Sequence, residues 1–118
     1  MNKFIPARIL IVDDMPDNIR LLTSILSRKG FELISAYSGQ MALESLENVC
    51  PDLILLDVNM PGMSGYDLCE IIKQNKLTKD IPIIFISALH DSQNVVHGFA
   101  LGGVDYITKP FQLEEVVA

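Results

Sequence analysis

Arg8-Ile9-Leu10-Ile11-Val12-Asp13-Asp14 holds, after its arginine, an unbroken and largely β-branched apolar run that stops at two carboxylates. A run that is apolar at every position suits a strand covered on both faces, as in a parallel sheet. The pattern recurs: Leu53-Ile54-Leu55-Leu56 ends at Asp57, Ile83-Ile84-Phe85-Ile86 ends at Ser87, and residues 104–108 lead into Lys109-Pro110. Residues 31–37 read as a further strand, second in the chain. Amphipathic stretches fill the gaps. Pro16 opens one that carries Ile19, Leu22, Ile25 and Leu26 at helical spacing, and Arg28-Lys29-Gly30 ends it with cations and a glycine. Ser38 is placed to cap a helix bearing Ala42, Leu43 and Leu46, which Pro51-Asp52 breaks. After the Pro61-Gly62 turn, Ser64-Gly65-Tyr66-Asp67 has the form of a capping box ahead of Leu68, Ile71 and Ile72. Val95, Val96 and Phe99 mark a weaker fourth helix interrupted by Gly98, and a last helix starts near Phe111.

Five strands alternating with helices on short loops predict a single α/β domain with a parallel sheet and helices on both faces. With 118 residues, 49% of them hydrophobic, the chain has the apolar content for a real core, and intrinsic disorder is excluded. No apolar run exceeds four or five residues, far short of a membrane span, and residues 1–8 lack a secretory signal. The net charge of −6 argues against direct nucleic-acid binding by this segment. Cys50 and Cys69 form neither a metal-site spacing nor a disulfide framework, and read as reduced thiols of a cytoplasmic protein.

The strand exits carry the chemistry. In a parallel sheet all carboxyl ends share one edge, where open α/β sheets bind ligands. Asp13-Asp14, Asp57, Ser87 and Lys109 are far apart in sequence yet should meet there. Several carboxylates so close repel one another, and a divalent cation relieves that. Mg²⁺ takes oxygen ligands and phosphate, with Mn²⁺ as the substitute, while no His or Cys cluster suggests zinc. Lys109 and Ser87 suit phosphoryl oxygens. By elimination Asp57 is the nucleophile, forming an aspartyl phosphate, and the adjacent Asp13 and Asp14 hold the metal.

At these residues the chain resembles a receiver domain of a two-component response regulator. The resemblance is carried by Ile11-Val12-Asp13-Asp14, Leu55-Leu56-Asp57-Val58-Asn59-Met60-Pro61-Gly62-Met63-Ser64-Gly65, Ile86-Ser87-Ala88 and Tyr106-Ile107-Thr108-Lys109-Pro110-Phe111, in the family's order and spacing. It implies a flavodoxin-like, doubly wound fold with strand order 2-1-3-4-5 over residues 1–118, residues 1–7 being an N-terminal extension. Asp57 resembles the phosphoacceptor, taking its phosphoryl group from a phosphohistidine on a sensor histidine kinase or phosphotransfer protein. Asp13 and Asp14 resemble the acidic pair that holds Mg²⁺, and Asn59 the position whose backbone carbonyl completes the metal shell. Ser87 and Lys109 resemble the groups that turn toward the phosphoryl oxygens, with Pro110 expected to be cis. Tyr106 resembles the aromatic switch that moves inward with Ser87. The surface of the fourth helix, fifth strand and fifth helix would then change and be read by an output domain or partner. Gly98, Gly102 and Gly103 would keep that region easy to rearrange.

Residues 111–118 form only about two turns of the last helix. The expectation is a piece of a longer signalling protein, with homodimer formation through the strip left bare. The competing reading is a metal-dependent aspartyl-phosphate phosphatase or phosphotransferase of the haloacid dehalogenase type, acting on small molecules. Those resemble Asp-x-Asp at the nucleophile, whereas this chain has Asp57-Val58-Asn59 and no cap domain. A receiver-like scaffold that takes no phosphate is opposed by the complete acidic set and lysine. His90 and His97 read as solvent-facing, and Met60 and Met63 as loop packing.

Overall fold

The structure, a computed structural model, describes residues 7–87 and 105–108. The elements run β1 (Arg8–Val12), α1 (Pro16–Arg28), β2 (Glu32–Ala36), α2 (Gly39–Leu46), β3 (Leu53–Asp57), α3 (Gly65–Gln74), β4 (Ile83–Ser87) and β5 (Asp105–Thr108). The five strands form one sheet in the order β2-β1-β3-β4-β5 with every pairing parallel, the order the resemblance implies. The second strand is shorter than residues 31–37, because Phe31 and Tyr37 lie beyond the pairing of Arg8–Val12 with Glu32–Ala36. The expected fourth and last helices lie outside the described residues.

Continuous apolar strands are required because the sheet has two cores. Successive side chains of a strand point to opposite faces. Leu10, Val12, Ile54, Leu56, Ile83 and Phe85 join Ala42 of α2 and Leu68, Cys69 and Ile72 of α3 in one cluster. Ile9, Ile11, Leu55 and Ile86 instead meet Ile19, Leu22 and Leu26 of α1 on the other face. Tyr66 and Phe85 stack at a tilt with ring centroids 5.1 Å apart, anchoring α3 to β4. A polar residue in place of any of Ile9–Val12 or Ile54–Leu56 would therefore be buried whichever way it pointed.

Helix starts follow the capping signals. The Ser38 hydroxyl accepts the Met41 N–H at the start of α2. At α3 the Ser64 hydroxyl accepts the Asp67 N–H while the Asp67 carboxylate accepts the Ser64 N–H. α1 begins differently: Pro16 occupies its first turn, and its N-cap, Met15, offers no side-chain bond. Its end matches the sequence reading, with Gly30 at φ +91°, a left-handed conformation that glycine adopts readily. The α3–β4 connection is tied by Lys73, whose ammonium donates to the Lys79 and Ile81 carbonyls, and by the Thr78 hydroxyl, which donates to Ile72 O at 2.7 Å. Met60 is buried and Met63 packs against the same cluster, as expected of loop packing. No helix among the described residues is long and apolar enough to cross a membrane.

Two outcomes are expected. Ser64→Ala removes one half of the capping box and lowers unfolding free energy by about 1 kcal/mol in urea titrations. Burial pushes the Cys69 thiol above its ordinary value, Lys73 pulling it back only in part, whereas Cys50 is exposed. At a pH of about 8 a thiol reagent should label Cys50 rapidly and reach Cys69 only on unfolding, because the protonated, buried thiol is a poor nucleophile.

Candidate functional site

Parallel register brings the first acidic positions together. Val12 pairs with Leu56, so the residues that follow, Asp13 and Asp57, stand side by side at the carboxyl edge of the sheet. Each of Asp13, Asp14 and Asp57 presents a carboxylate oxygen, and these atoms lie within 4.8 Å of one another. Asp13 is 0% and Asp57 1% exposed, while Asp14 is half-buried. At that spacing each ionised pair repels by about 3–4 kcal/mol at an effective dielectric of about 20. Solvated acidic clusters are common, but two of these carboxylates are held out of water, where an uncompensated charge is costly. An all-oxygen donor set of this density fits a hard divalent cation such as Mg²⁺.

The local backbone explains how such a cluster is built. Asp13 N–H donates to Ala36 O at 3.1 Å, extending the sheet by one residue. The Asp13 Oδ1 accepts the Met15 N–H at 2.9 Å and its Oδ2 accepts from Asn18 Nδ2 at 3.2 Å. The Asn59 N–H reaches the Asp57 Oδ1 at 3.4 Å, a turn-like bond from a carboxylate to the backbone two residues on. Val58 N–H donates to Ile86 O at 3.0 Å, and Gly65 N–H donates to Val58 O at 2.9 Å. The loop after Asp57 is thus pinned to β4 on one side and to the start of α3 on the other. Gly62 turns it at φ +79°.

Gly65 has a separate role. A Cβ built there would collide with the Asp57 carbonyl oxygen and crowd the Val58 Cα. Glycine is therefore needed for space: α3 begins in contact with the backbone of the residue that carries the central carboxylate. Across the loop, Met63 lies where a Cβ on Gly39 would be, 2.5 Å from its sulfur, so the first turn of α2 also packs directly on this segment.

Of the residues singled out from sequence, Asp13, Asp14 and Asp57 converge, and Asn59 adjoins Asp57. Ser87 is the last residue of β4, one register position beyond the partner of Asp57, and it pairs with Thr108 at the end of β5. Tyr106 pairs with Phe85 through the backbone. Lys109, Pro110 and the two histidines lie outside the described residues. Sequence reasoning missed Asn18 and the spatial role of Gly65. Asn18 carried a faint signal, as a polar residue in the first turn after an acidic pair. The need for Gly65 was invisible, because its neighbour is backbone eight residues earlier.

Comparison with known proteins now decides the family. Residues 9–118 match the response regulator receiver domain. The chain belongs to that family. It is 41% identical over 104 residues to the response regulator PleD of Caulobacter vibrioides, covering 88% of this chain and 23% of that protein. It is 39% identical over 111 residues to the DNA-binding response regulator MtrA of Mycolicibacterium smegmatis, covering 94% of this chain and 47% of that protein. Its fold superposes on the chemotaxis response regulator CheY4 of Vibrio cholerae with a TM-score of 0.90 at 27% identity, over 96% of this chain and 94% of that one. The chain spans less than half the length of the two curated relatives. Receiver domains are signalling phosphoacceptors that work with histidine kinases and output domains, and they bind Mg²⁺ at an acidic pocket. The acidic group here could hold such an ion.

The close approach at Gly65 yields a test. Gly65→Ala must displace either α3 or the Asp57 backbone, and overpacking of this kind costs about 1–3 kcal/mol. The expected result is a matching loss in chemical denaturation, together with shifted amide resonances for residues 57–59.

Proposed function

We propose that the domain is a phosphorylation switch that accepts a phosphoryl group on an Asp57 carboxylate oxygen. The donor is the phosphohistidine of a sensor histidine kinase or phosphotransfer protein. The carboxylate oxygen attacks phosphorus, the phosphorus–nitrogen bond breaks, and the imidazole leaves and takes up a proton. The observation that carries this reading is the convergence of Asp13, Asp14 and Asp57 within 4.8 Å at the carboxyl edge of the sheet, with Asp57 on its central strand.

Asp13, Asp14, Asp57 and the Asn59 backbone carbonyl would hold Mg²⁺, or Mn²⁺ in its place. When bound, the ion supplies positive charge against the transferring phosphoryl oxygens. The remaining work falls to the chain's own groups. The carbonyl and N–H bonds that pin residues 57–59 keep the nucleophile fixed, and Val58, Met60 and Tyr66 bury the following segment in the core. Ser87 and Lys109 contact phosphoryl oxygens, and Tyr106 follows Ser87 inward. The positions of Ser87 at the end of β4, of Lys109 directly after β5 and of Tyr106 within β5 support these roles. An added phosphoryl group brings the site's charge down by about one further unit. That charge draws on Ser87 and Lys109 and shifts the surface of the fourth helix, fifth strand and last helix. An output domain or partner protein reads the surface in the cytoplasm. This segment carries no DNA contact of its own, consistent with its net charge of −6.

Incubation with Mg²⁺ and acetyl phosphate should give one hydroxylamine-sensitive phosphate per chain, with acetate released and no labelling of Asp57→Asn. Many turnovers per chain, or no labelling, would overturn the reading. Mg²⁺ at about ten times its dissociation constant should stabilise the fold by about 1.4 kcal/mol and raise Tm by about 4–8 °C. Asp13→Asn and Asp14→Asn should each weaken that rise.

A further inference from the structure

We propose that Asn18 is a positioning residue that sets the Mg²⁺ affinity of the site by holding the Asp13 carboxylate in its binding orientation. The inference rests on the phosphoacceptor reading and adds a residue to it.

Asp13 is fully buried and its two oxygens are gripped from one helix start. Oδ1 accepts the Met15 N–H at 2.9 Å, and Oδ2 accepts Asn18 Nδ2 at 3.2 Å. An ionised carboxylate only accepts hydrogen bonds, so Asn18 must present its amide NH₂. The two donors sit on opposite oxygens, which fixes rotation of the carboxylate about its Cβ–Cγ bond. Each oxygen has a further lone-pair direction, and the carboxylate lies against Asp14 and Asp57. Removing the Asn18 amide takes away the donor on Oδ2, so the carboxylate plane is held less firmly in the orientation that a cation would meet. It also withdraws a partial positive charge from a buried anion. Donors that orient ligating carboxylates typically govern metal affinity by 10–100-fold.

A structural role is the competing account, because Asp13 and Asn18 together also close the start of α1, whose own N-cap offers no side-chain bond. The two roles separate by measurement. Asn18 is only half-buried in the first turn of α1, and Asn18→Leu keeps its branching and heavy-atom count while Asn18→Ala favours the helix. Calorimetric titration of the 118-residue chain with Mg²⁺ alone should show the dissociation constant rising about tenfold in both variants. The Mg²⁺ concentration for half-maximal labelling by acetyl phosphate should rise in parallel. A role confined to capping would instead lower Tm in EDTA and leave the dissociation constant where it was. That result, in protein whose wild type binds Mg²⁺ and takes one phosphate on Asp57, overturns the assignment of Asn18 and leaves the phosphoacceptor reading standing. A wild type that binds no Mg²⁺ overturns both.

Discussion

Two carboxylates kept out of water beside each other are the constraint around which this domain is organised. Asp13 and Asp57 lie at 0% and 1% exposure at the ends of adjacent strands, with the half-buried Asp14 close by. Burying like charges is unfavourable unless donors or cations compensate. The fold supplies donors within reach: the Met15 N–H and the Asn18 amide at Asp13, and the Asn59 N–H at Asp57. The helix start and the local backbone thus give the buried carboxylates partners, and their burial is a cost in stability borne by the rest of the domain.

That cost is offset by the two apolar faces of the sheet. β1, β3 and β4 send alternate side chains into separate clusters, so one strand contributes to both cores at once. Burial on this scale, at roughly 25 cal/mol per Å² of apolar surface, is the dominant favourable contribution in a domain of this size. It also makes the strands rigid. The carboxylates then stand on elements that do not yield easily, as a site for in-line transfer requires.

The segment after Asp57 links the site to the helices. Gly65 lets α3 start against the Asp57 carbonyl, and Met63 fills the space beside Gly39 at the start of α2. Any displacement of residues 57–65 would therefore be felt at both helices. The capping box at Ser64 and Asp67 sits inside this segment, so a single set of local bonds ends the loop and starts α3.

Much of this could be read from the chain alone. Apolar runs stopping at Asp13-Asp14, Asp57 and Ser87 specified buried strands with polar exits, because a strand covered on both faces accommodates such a run. Ser38 and Ser64 named two helix starts for local reasons, since a cap acts on N–H groups three residues away. The family followed from motifs, because Asp13, Asp14 and Asp57 stand in spaced, recognisable company. Tertiary structure alone decided which groups meet. Register, set by hydrogen bonds between strands distant in sequence, put Asp13 next to Asp57 and fixed the 4.8 Å cluster. Chain packing put the Asp57 carbonyl where only a glycine fits, and helix geometry carried the Asn18 amide back to Asp13. Those contacts depend on distances between backbones, and residue types in a row encode them only through the fold they produce.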